Sequence, residues 1–157
     1  MSTGYSVSRV IEAGAALGLN IAVHRFPQGT KTATDAAAAI GCPVAAIVKS
    51  LVFFVDNEPV VALVPGDLRL NPDRLAELAG GKEARRAGLD EARVATGFVA
   101  GGTPPIGYPT PLRVFADPQL KRHDPVWAAA GTPDSVFPIR IAALEESVHP
   151  IWGDISV

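Results

Sequence analysis

The most apolar run of the chain, residues 45–55, contains a single charged side chain, that of Lys49. A continuous apolar run of this length is typical of a buried β-strand. Lysine is rarely buried without a partner, because removing its charge from water costs free energy. Its ammonium group must therefore reach a surface, bind an anion, or stay partly desolvated with a shifted pKa. Lys49 is the first candidate for a functional group.

Composition limits the classes of protein to which the chain can belong. Its 157 residues suit one domain with a sizeable core, and 48% of them are hydrophobic, as in a compact α/β protein. No apolar stretch reaches the ~18 residues of a membrane span. Residues 1–5 lack a basic segment followed by an apolar core, so neither a membrane partner nor a signal peptide is expected. Cys42 is the only cysteine, which rules out an internal disulfide and favours a cytoplasmic location.

The net charge of −2 argues against a protein that binds nucleic acid by broad neutralisation of phosphates. A local contact with one end of an RNA stays open. The densest basic cluster is formed by Lys82, Arg85, Arg86 and Arg93. Acidic residues at positions 83, 90 and 91 are interleaved with it, so we interpret the cluster as a solvated face.

Capping residues, apolar spacing and turn residues predict short helices alternating with strands. The predicted helices span residues 6 or 8 to 17, 35–40, 73–79, 89–96 and 142–148. The predicted strands span residues 21–26, 45–55, 59–64, 82–86, 111–117, 126–131 and 135–141. Asn71 and either Thr32 or Thr34 are predicted N-caps. The short connections and hairpin-like strand pairs favour a mixed or antiparallel sheet with helices outside it over a doubly wound parallel fold.

Residues 101–107, Gly-Gly-Thr-Pro-Pro-Ile-Gly, can form neither a helix nor a central strand. Glycines allow a ligand to approach the backbone, and prolines stiffen the loop. A stiff loop with bare N–H groups can hold a carbonyl oxygen, a phosphate or a water, as an oxyanion site does. It lacks the Gly-Lys-Ser/Thr ending of a phosphate-binding P-loop. Taken alone, such a segment is more often an ordinary turn.

Several segments, taken together and in order, resemble a known family. They are Thr30, residues 35–41, residues 47–53 with Lys49, and residues 63–67, 96–107, 114–117 and 129–131. The pattern resembles the YbaK family, the free-standing relatives of the editing domain of prolyl-tRNA synthetase, over residues 23–144. The resemblance implies a single α/β domain over residues 1–157, with a twisted, mostly antiparallel, barrel-like mixed sheet flanked by helices.

The activity that the resemblance implies is that of a trans-editing aminoacyl-tRNA deacylase. Such an enzyme hydrolyses the ester that joins a wrong amino acid to the terminal adenosine of a tRNA, here expected to be tRNA-Pro carrying a small residue such as Cys or Ala. The implied partner is the 3′-terminal aminoacyl-adenosine. Prolyl-tRNA synthetase and a second copy of the chain, as a homodimer, are further candidate partners. No cofactor is implied.

The site residues are carried over position by position. Lys49 matches the essential lysine of the family, and residues 101–105 match its Gly-x-x-x-Pro loop. The catalytic candidates are Lys49, Gly101 and Gly102. The substrate-binding candidates are Thr30, Ser50, Thr103, Pro104, Pro105, Ala130 and Gly131, the last two matching a strand end beside the amino-acid pocket. Some relatives have a polar residue near Ala130, or an Asp where this chain has Val136, so one candidate general base is missing here.

The residues themselves agree with ester hydrolysis but leave its details open. No Ser-His-Asp or Cys-His arrangement can be placed by spacing. Our hypothesis is that Lys49 binds the terminal ribose-phosphate region or the ester oxygen, while the backbone of residues 101–105 orients the carbonyl and a water. The substrate's own hydroxyl, thiol or amine would then transfer the proton.

The histidines and aromatic residues have simpler interpretations. The histidines, His24, His123 and His149, are far apart and lack partners at metal-ligand spacing, so no metal is expected. His24 is interpreted as a strand histidine, with lining of the pocket as the alternative. The aromatic residues Phe115, Trp127 and Phe137 are interpreted as core residues rather than platforms for base stacking.

Two other classes of function stay open. The first is a non-catalytic module of the same fold that binds an aminoacyl group, a nucleotide or a synthetase. The second is a structural or oligomerisation domain, which predicts no pocket and gives no reason for Lys49. If Lys49 and Gly101 lay on opposite sides of the molecule, the enzyme hypothesis would be wrong.

Overall fold

Two β-sheets and five surrounding helices make up a computed structural model that describes residues 3–157. The strands are β1 (His24–Arg25), β2 (Val48–Val55), β3 (Glu58–Pro65), β4 (Ala84–Arg86), β5 (Arg113–Ala116), β6 (Val126–Ala129), β7 (Ser135–Ile139) and β8 (Ile151–Trp152). The helices are α1 (Thr3–Ala16), α2 (Ala33–Ile40), α3 (Pro72–Ala79), α4 (Leu89–Thr96) and α5 (Ile141–Val148). The expected mixed α/β fold in a single domain is confirmed.

The larger sheet has the strand order β4-β2-β3-β5-β8, and the smaller one has the order β1-β7-β6. Strand β3 is antiparallel to β2 and parallel to β5, which is itself parallel to β8. The barrel-like closure is not confirmed, because β4 and β8 end the larger sheet without pairing to the smaller one in the described part of the chain. A single bridge, between Ile47 and Trp127, connects the two sheets there.

Local signals explain most of the element boundaries. The hydroxyl of Thr32 accepts a hydrogen bond from the Asp35 amide at 3.0 Å and starts α2. Asn71 caps α3 in the same way, with Pro72 at the first helical position. The turn between β2 and β3 places Asp56 and Asn57 at φ of 47° and 70°, which suits a tight two-residue hairpin.

Three predicted elements have boundaries that differ most from the structure. Helix α1 begins at Thr3 rather than at residue 6 or 8, since serine is tolerated inside helices and is a weak start signal. The strand predicted over residues 21–26 shrinks to two residues, because only these pair with β7. Strand β2 begins at Val48, because Val44–Ala46 forms a turn of 3-10 helix.

Strand β3 is buried on both faces and divides the core. Val61 and Leu63 pack into one cluster with Phe98 and Phe137. The alternate residues of β3 pack into a second cluster with Leu75 and Phe115. Since successive strand residues point to opposite faces, β3 and its partner β2 are held rigidly between the two clusters. None of the helices that the structure describes has the length and apolar character needed to span a membrane.

Candidate active site

A pocket of about 410 Å³ opens between β2 and β6. Within residues 3–157, β4 pairs with β2 only at Phe53, Phe54 and Val55. The first half of β2 therefore has β3 as its one regular strand neighbour there, and the space beside it forms the pocket. One bridge, from Ile47 to Trp127, connects the two sheets beside the pocket among the described residues. The lining residues are Thr30, Lys31, Thr32, Ala33, Thr34, Ala36, Ile47, Val48, Lys49, Ser50, Leu51, Gly66, Arg86, Gly101, Thr103, Trp127, Ala128, Ala129 and Val136.

Lys49 and Gly101 line this same pocket. They come from β2 and from a loop about fifty residues further along the sequence. The cleft shared by the lysine and the glycine-proline loop is therefore present, as the enzyme hypothesis requires. Of the other candidates, Thr30, Ser50 and Thr103 also line the pocket.

The ammonium group of Lys49 is half-buried, and it donates a hydrogen bond to the carbonyl of Leu68. Burial lowers the pKa of Lys49 from its ordinary value of 10.5, and the positive charge of Arg86 lowers it further, whereas Asp67 opposes the shift. No acidic side chain is among the described residues that line the pocket. The site is thus locally positive in a chain whose net charge is −2, and an anion or an oxyanion would be attracted to it.

The backbone N–H groups of the loop differ in whether they have a hydrogen-bond acceptor. The amide of Gly102 donates to the carbonyl of Val99 at 3.0 Å, and the carbonyl of Gly102 accepts from Gly131 at 3.0 Å. The N–H groups of Gly101 and Thr103, by contrast, have no acceptor within residues 3–157. These two backbone groups are the ones free to bind a substrate oxygen.

Two glycines fit the loop for different reasons. Gly101 has a φ of +82°, a left-handed conformation that favours glycine. At Gly102 a Cβ atom would lie 2.8 Å from the Cα of Thr132, so the loop could not pack against that backbone. Gly102 is buried and lies behind the pocket wall.

Two side chains from outside the loop hold it in place, and the sequence did not point to either. The hydroxyl of Tyr108 donates to the carbonyl of Pro104 at 2.6 Å, and burial raises the pKa of Tyr108, so it stays a donor. The guanidinium of Arg9 donates to the carbonyls of Gly97 and Gly107 and lies over the ring of Phe98. The loop is therefore anchored on both sides before any substrate arrives.

The polar candidates on the pocket wall differ in whether their hydroxyl groups have a hydrogen-bond partner. The hydroxyl of Thr30 donates to the carbonyl of Pro133 at 3.0 Å. This hydrogen bond connects the segment before α2 to the turn after β6. The hydroxyl of Ser50 is buried and has no hydrogen-bond partner among the described residues. An unpaired buried hydroxyl costs free energy, so Ser50 would gain from a polar group of a ligand.

The remaining candidates lie next to the pocket rather than on its wall. Pro104, Pro105, Ala130 and Gly131 are buried and outside the lining set. Ala128 and Ala129, two residues and one residue earlier on β6, line the pocket where Ala130 was expected to do so. Gly131 contributes instead through the hydrogen bond that it donates to Gly102.

Three lining residues were missed or misinterpreted. Lys31 and Arg86 bring positive charge to the pocket, and only the three-dimensional path of the chain reveals it. Trp127 lines the pocket, whereas Phe115 and Phe137 are core residues as predicted. His24 is exposed and meets the edge of the Trp127 ring, with ring centroids 5.1 Å apart.

Across residues 3–157, no group of three or more His, Cys, Asp or Glu side chains is placed to hold a metal ion.

Comparison with known proteins matches this geometry to a family. Residues 27–146 match the aminoacyl-tRNA editing domain. The chain is 39% identical over 93 residues to proline–tRNA ligase of Nitratidesulfovibrio vulgaris strain Hildenborough, which covers 59% of this chain but 16% of the ligase. It is 30% identical over 135 residues to the uncharacterized protein YwhH of Bacillus subtilis strain 168, covering 85% of each.

A solved structure agrees over the whole length. A crystal structure described as a proposed trans-editing enzyme for prolyl tRNA synthetase has a TM-score of 0.92 and 37% sequence identity, with 100% of this chain and 99% of that chain covered. The residues that match the family, 27–146, include both the strand with Lys49 and the loop with Gly101. The chain therefore belongs to the family of aminoacyl-tRNA editing domains of the YbaK type.

Proposed function

We propose that this chain is a trans-editing aminoacyl-tRNA deacylase, which hydrolyses the ester between a wrong amino acid and the terminal adenosine of a tRNA. The observation that carries the proposal is that Lys49, Gly101 and Thr103 line one positive pocket, while the N–H groups of Gly101 and Thr103 have no acceptor within residues 3–157. Membership of the editing-domain family supports it. We further propose that residues 1–157 act as one domain, in the cytoplasm where charged tRNA is found.

In the proposed reaction a water attacks the carbonyl carbon of the ester. The new carbon–oxygen bond forms first and places negative charge on the carbonyl oxygen of a tetrahedral intermediate. The bond to the ribose oxygen breaks when this intermediate collapses, and the ribose oxygen leaves with a proton. The N–H groups of Gly101 and Thr103 and the cation of Lys49 would stabilise that charge in a partly desolvated site. Gly102 would support the loop rather than touch the substrate.

The proton of the attacking water must reach the departing ribose oxygen. No carboxylate or histidine lines the pocket among the described residues, so the proposal assigns the transfer to the substrate's own hydroxyl, thiol or amine. The unpaired hydroxyl of Ser50 would hold a polar group of the ribose or of the amino acid. The protein then contributes position and charge, and the substrate contributes the proton relay.

The substrate that we propose is tRNA-Pro carrying a small wrong amino acid such as Cys or Ala. The apolar part of the wall includes Ile47, Ala128, Ala129 and Val136. An apolar pocket distinguishes amino acids by the volume of their side chains. The difference in transition-state binding free energy is about 1–3 kcal/mol per methylene group. Prolyl-tRNA synthetase, whose editing-domain segment this chain resembles, is the proposed source of the charged tRNA. A homodimer stays a prediction, which a measurement of the molecular mass in solution would check.

The proposal is tested by incubating the protein with tRNAs charged with Ala, Cys, Ser, Thr and Pro, and following loss of each ester. We expect hydrolysis of at least one mischarged species well above the uncatalysed rate, and little hydrolysis of correctly charged tRNA-Pro. Binding of tRNA or of the synthetase without hydrolysis of any ester would favour the non-catalytic module instead.

The pH dependence of hydrolysis follows from the lysine. Because the reaction needs the protonated form of Lys49, catalysed hydrolysis should fall as the pH rises through the lysine pKa. Burial and Arg86 lower that pKa, so the fall should begin at a lower pH than for an ordinary lysine. The measurement is kcat/KM against pH, with spontaneous ester hydrolysis subtracted. A catalysed rate that keeps rising through the alkaline range would contradict the role of the cation.

A further inference from the structure

Adjacent arginines on β4 have different environments. Arg85 donates two hydrogen bonds to Glu91, at 2.9 and 2.8 Å, and its guanidinium lies 4.6 Å from the centre of the Phe54 ring. Its charge is thus paired on the face of the sheet that carries α4. Arg86, the next residue, is exposed and lines the pocket, and it has no acidic or hydrogen-bonding partner in residues 3–157.

The alternation of side chains along a strand explains the difference. Residues that follow one another on a strand point to opposite faces, so Arg85 and Arg86 cannot share a partner. The Cα atom of Arg86 is paired with that of Phe53, near the point where β2 becomes the wall of the pocket. The interpretation of the cluster as a solvated face therefore fits Arg85, whereas Arg86 is exposed and also lines the pocket.

Two cations held toward one pocket repel each other unless an anion lies between them. Burial is the main cause of the lowered pKa of Lys49, and the positive charge of Arg86 lowers that pKa further. Lys31 adds a third positive side chain to the lining. The ammonium of Lys49 already donates to Leu68, whereas the donors of Arg86 are all available. A planar guanidinium suits the paired oxygens of a phosphate better than an ammonium does.

We propose that Arg86 binds a phosphodiester of the single-stranded 3′ end of the RNA, beside the aminoacyl-adenosine that enters the pocket. This inference rests on the proposed function and adds to it the contact that distinguishes a charged tRNA from a simple amino-acid ester. Arg86 is then a substrate-binding residue and takes no part in the chemical step. The single local contact agrees with a chain that has no overall basic excess.

The test compares Arg86→Gln with Arg93→Gln, which removes the same charge from an exposed arginine of α4 outside the pocket. Each variant is assayed on a mischarged tRNA and on the matching aminoacyl-adenosine without phosphate. Arg86→Gln should lower kcat/KM on the tRNA by about tenfold, as expected for a lost charged hydrogen bond. On the phosphate-free ester it should equal wild type, and Arg93→Gln should equal wild type on both.

A binding measurement makes the inference independent of catalysis. The affinity of wild type and variants for a short uncharged RNA ending in CCA is measured between about 50 and 200 mM salt. Arg86→Gln should weaken binding and reduce the slope of log affinity against log salt by about 0.7, the share of one phosphate contact on a single strand. Arg93→Gln should leave the slope unchanged.

The outcomes separate this inference from the proposed function. If wild type hydrolyses the tRNA ester and Arg86→Gln behaves like Arg93→Gln in both assays, the phosphate contact is overturned and the deacylase stands. An equal loss on the phosphate-free ester would also overturn it. If wild type hydrolyses neither substrate, the deacylase proposal fails, and the RNA binding data alone decide on Arg86. Failure of wild type to bind the RNA as well would overturn both.

Discussion

Replacement of Lys49 by alanine should lower the rate of ester hydrolysis on a mischarged tRNA by at least about 100-fold, the loss typical of removing one group that stabilises an oxyanion. The side chain is held by a rigid strand whose neighbour, β3, is buried on both faces. Its ammonium is fixed by the carbonyl of Leu68 and is partly desolvated. Electrostatic stabilisation is strongest from a group that needs no reorganisation during the reaction.

The loss should come from catalysis and not from unfolding. Lys121→Ala is the matched control, because this lysine lies 4.3 Å from the centre of the Trp152 ring and pairs with Glu145, away from the pocket. Lys121→Ala should keep wild-type activity, and both variants should unfold at nearly the same temperature. Retention of full hydrolysis by Lys49→Ala at saturating substrate would mean that the lysine has no catalytic role.

Asp117→Ala should lower the free energy of unfolding by about 3 kcal/mol, because it removes the acceptor of several buried donors at once. The carboxylate of Asp117 is 1% exposed. It accepts hydrogen bonds from the amides of Gln119 at 2.9 Å, Ile155 at 3.3 Å and Ser156 at 3.1 Å, and also from the Ser156 hydroxyl. The variant would leave these donors buried without a partner.

The matched control is Asp154→Ala, which lies in the same C-terminal segment but pairs with Arg74 at the surface. A surface ion pair contributes little, so this variant should unfold near the wild-type midpoint. Asp117→Ala should unfold roughly 6–12 °C lower, the shift that follows from its free-energy loss in a protein of this size. The measurement is thermal and urea unfolding of both variants. Coincident transitions would show that Asp117 does not hold the C-terminal segment in place.

Local chemistry made much of the fold predictable. Helix α4 has the predicted limits, and the caps at Thr32 and Asn71 are among those expected, because each depends on a few neighbouring residues. The pairings at the end of the chain depend on distant residues and left no local signal. Strand β8 forms only because β5 offers a parallel edge and Asp117 holds the residues that follow it.

The site residues also differ in whether the sequence alone made them predictable. Lys49 was predictable because a charge in an apolar strand conflicts with its surroundings, and the loop at residues 101–105 because its composition forbids regular structure. Arg86 carries no such conflict, since Arg85, the residue before it, is also charged and exposed. Its position becomes informative only when β4 lies beside β2 and leaves the first half of β2 open.

The central claim is that the pocket between β2 and β6 receives the aminoacyl end of a tRNA. It is tested most directly by titrating the labelled protein with an aminoacyl-adenosine analogue in which a stable amide replaces the ester, and following the backbone amide signals by NMR. The account predicts saturable shifts concentrated at Ser50, Gly101, Thr103 and Ala129. Shifts confined to the separate apolar groove lined by Phe54, Pro59 and Val94, or no saturable shifts at all, would contradict it.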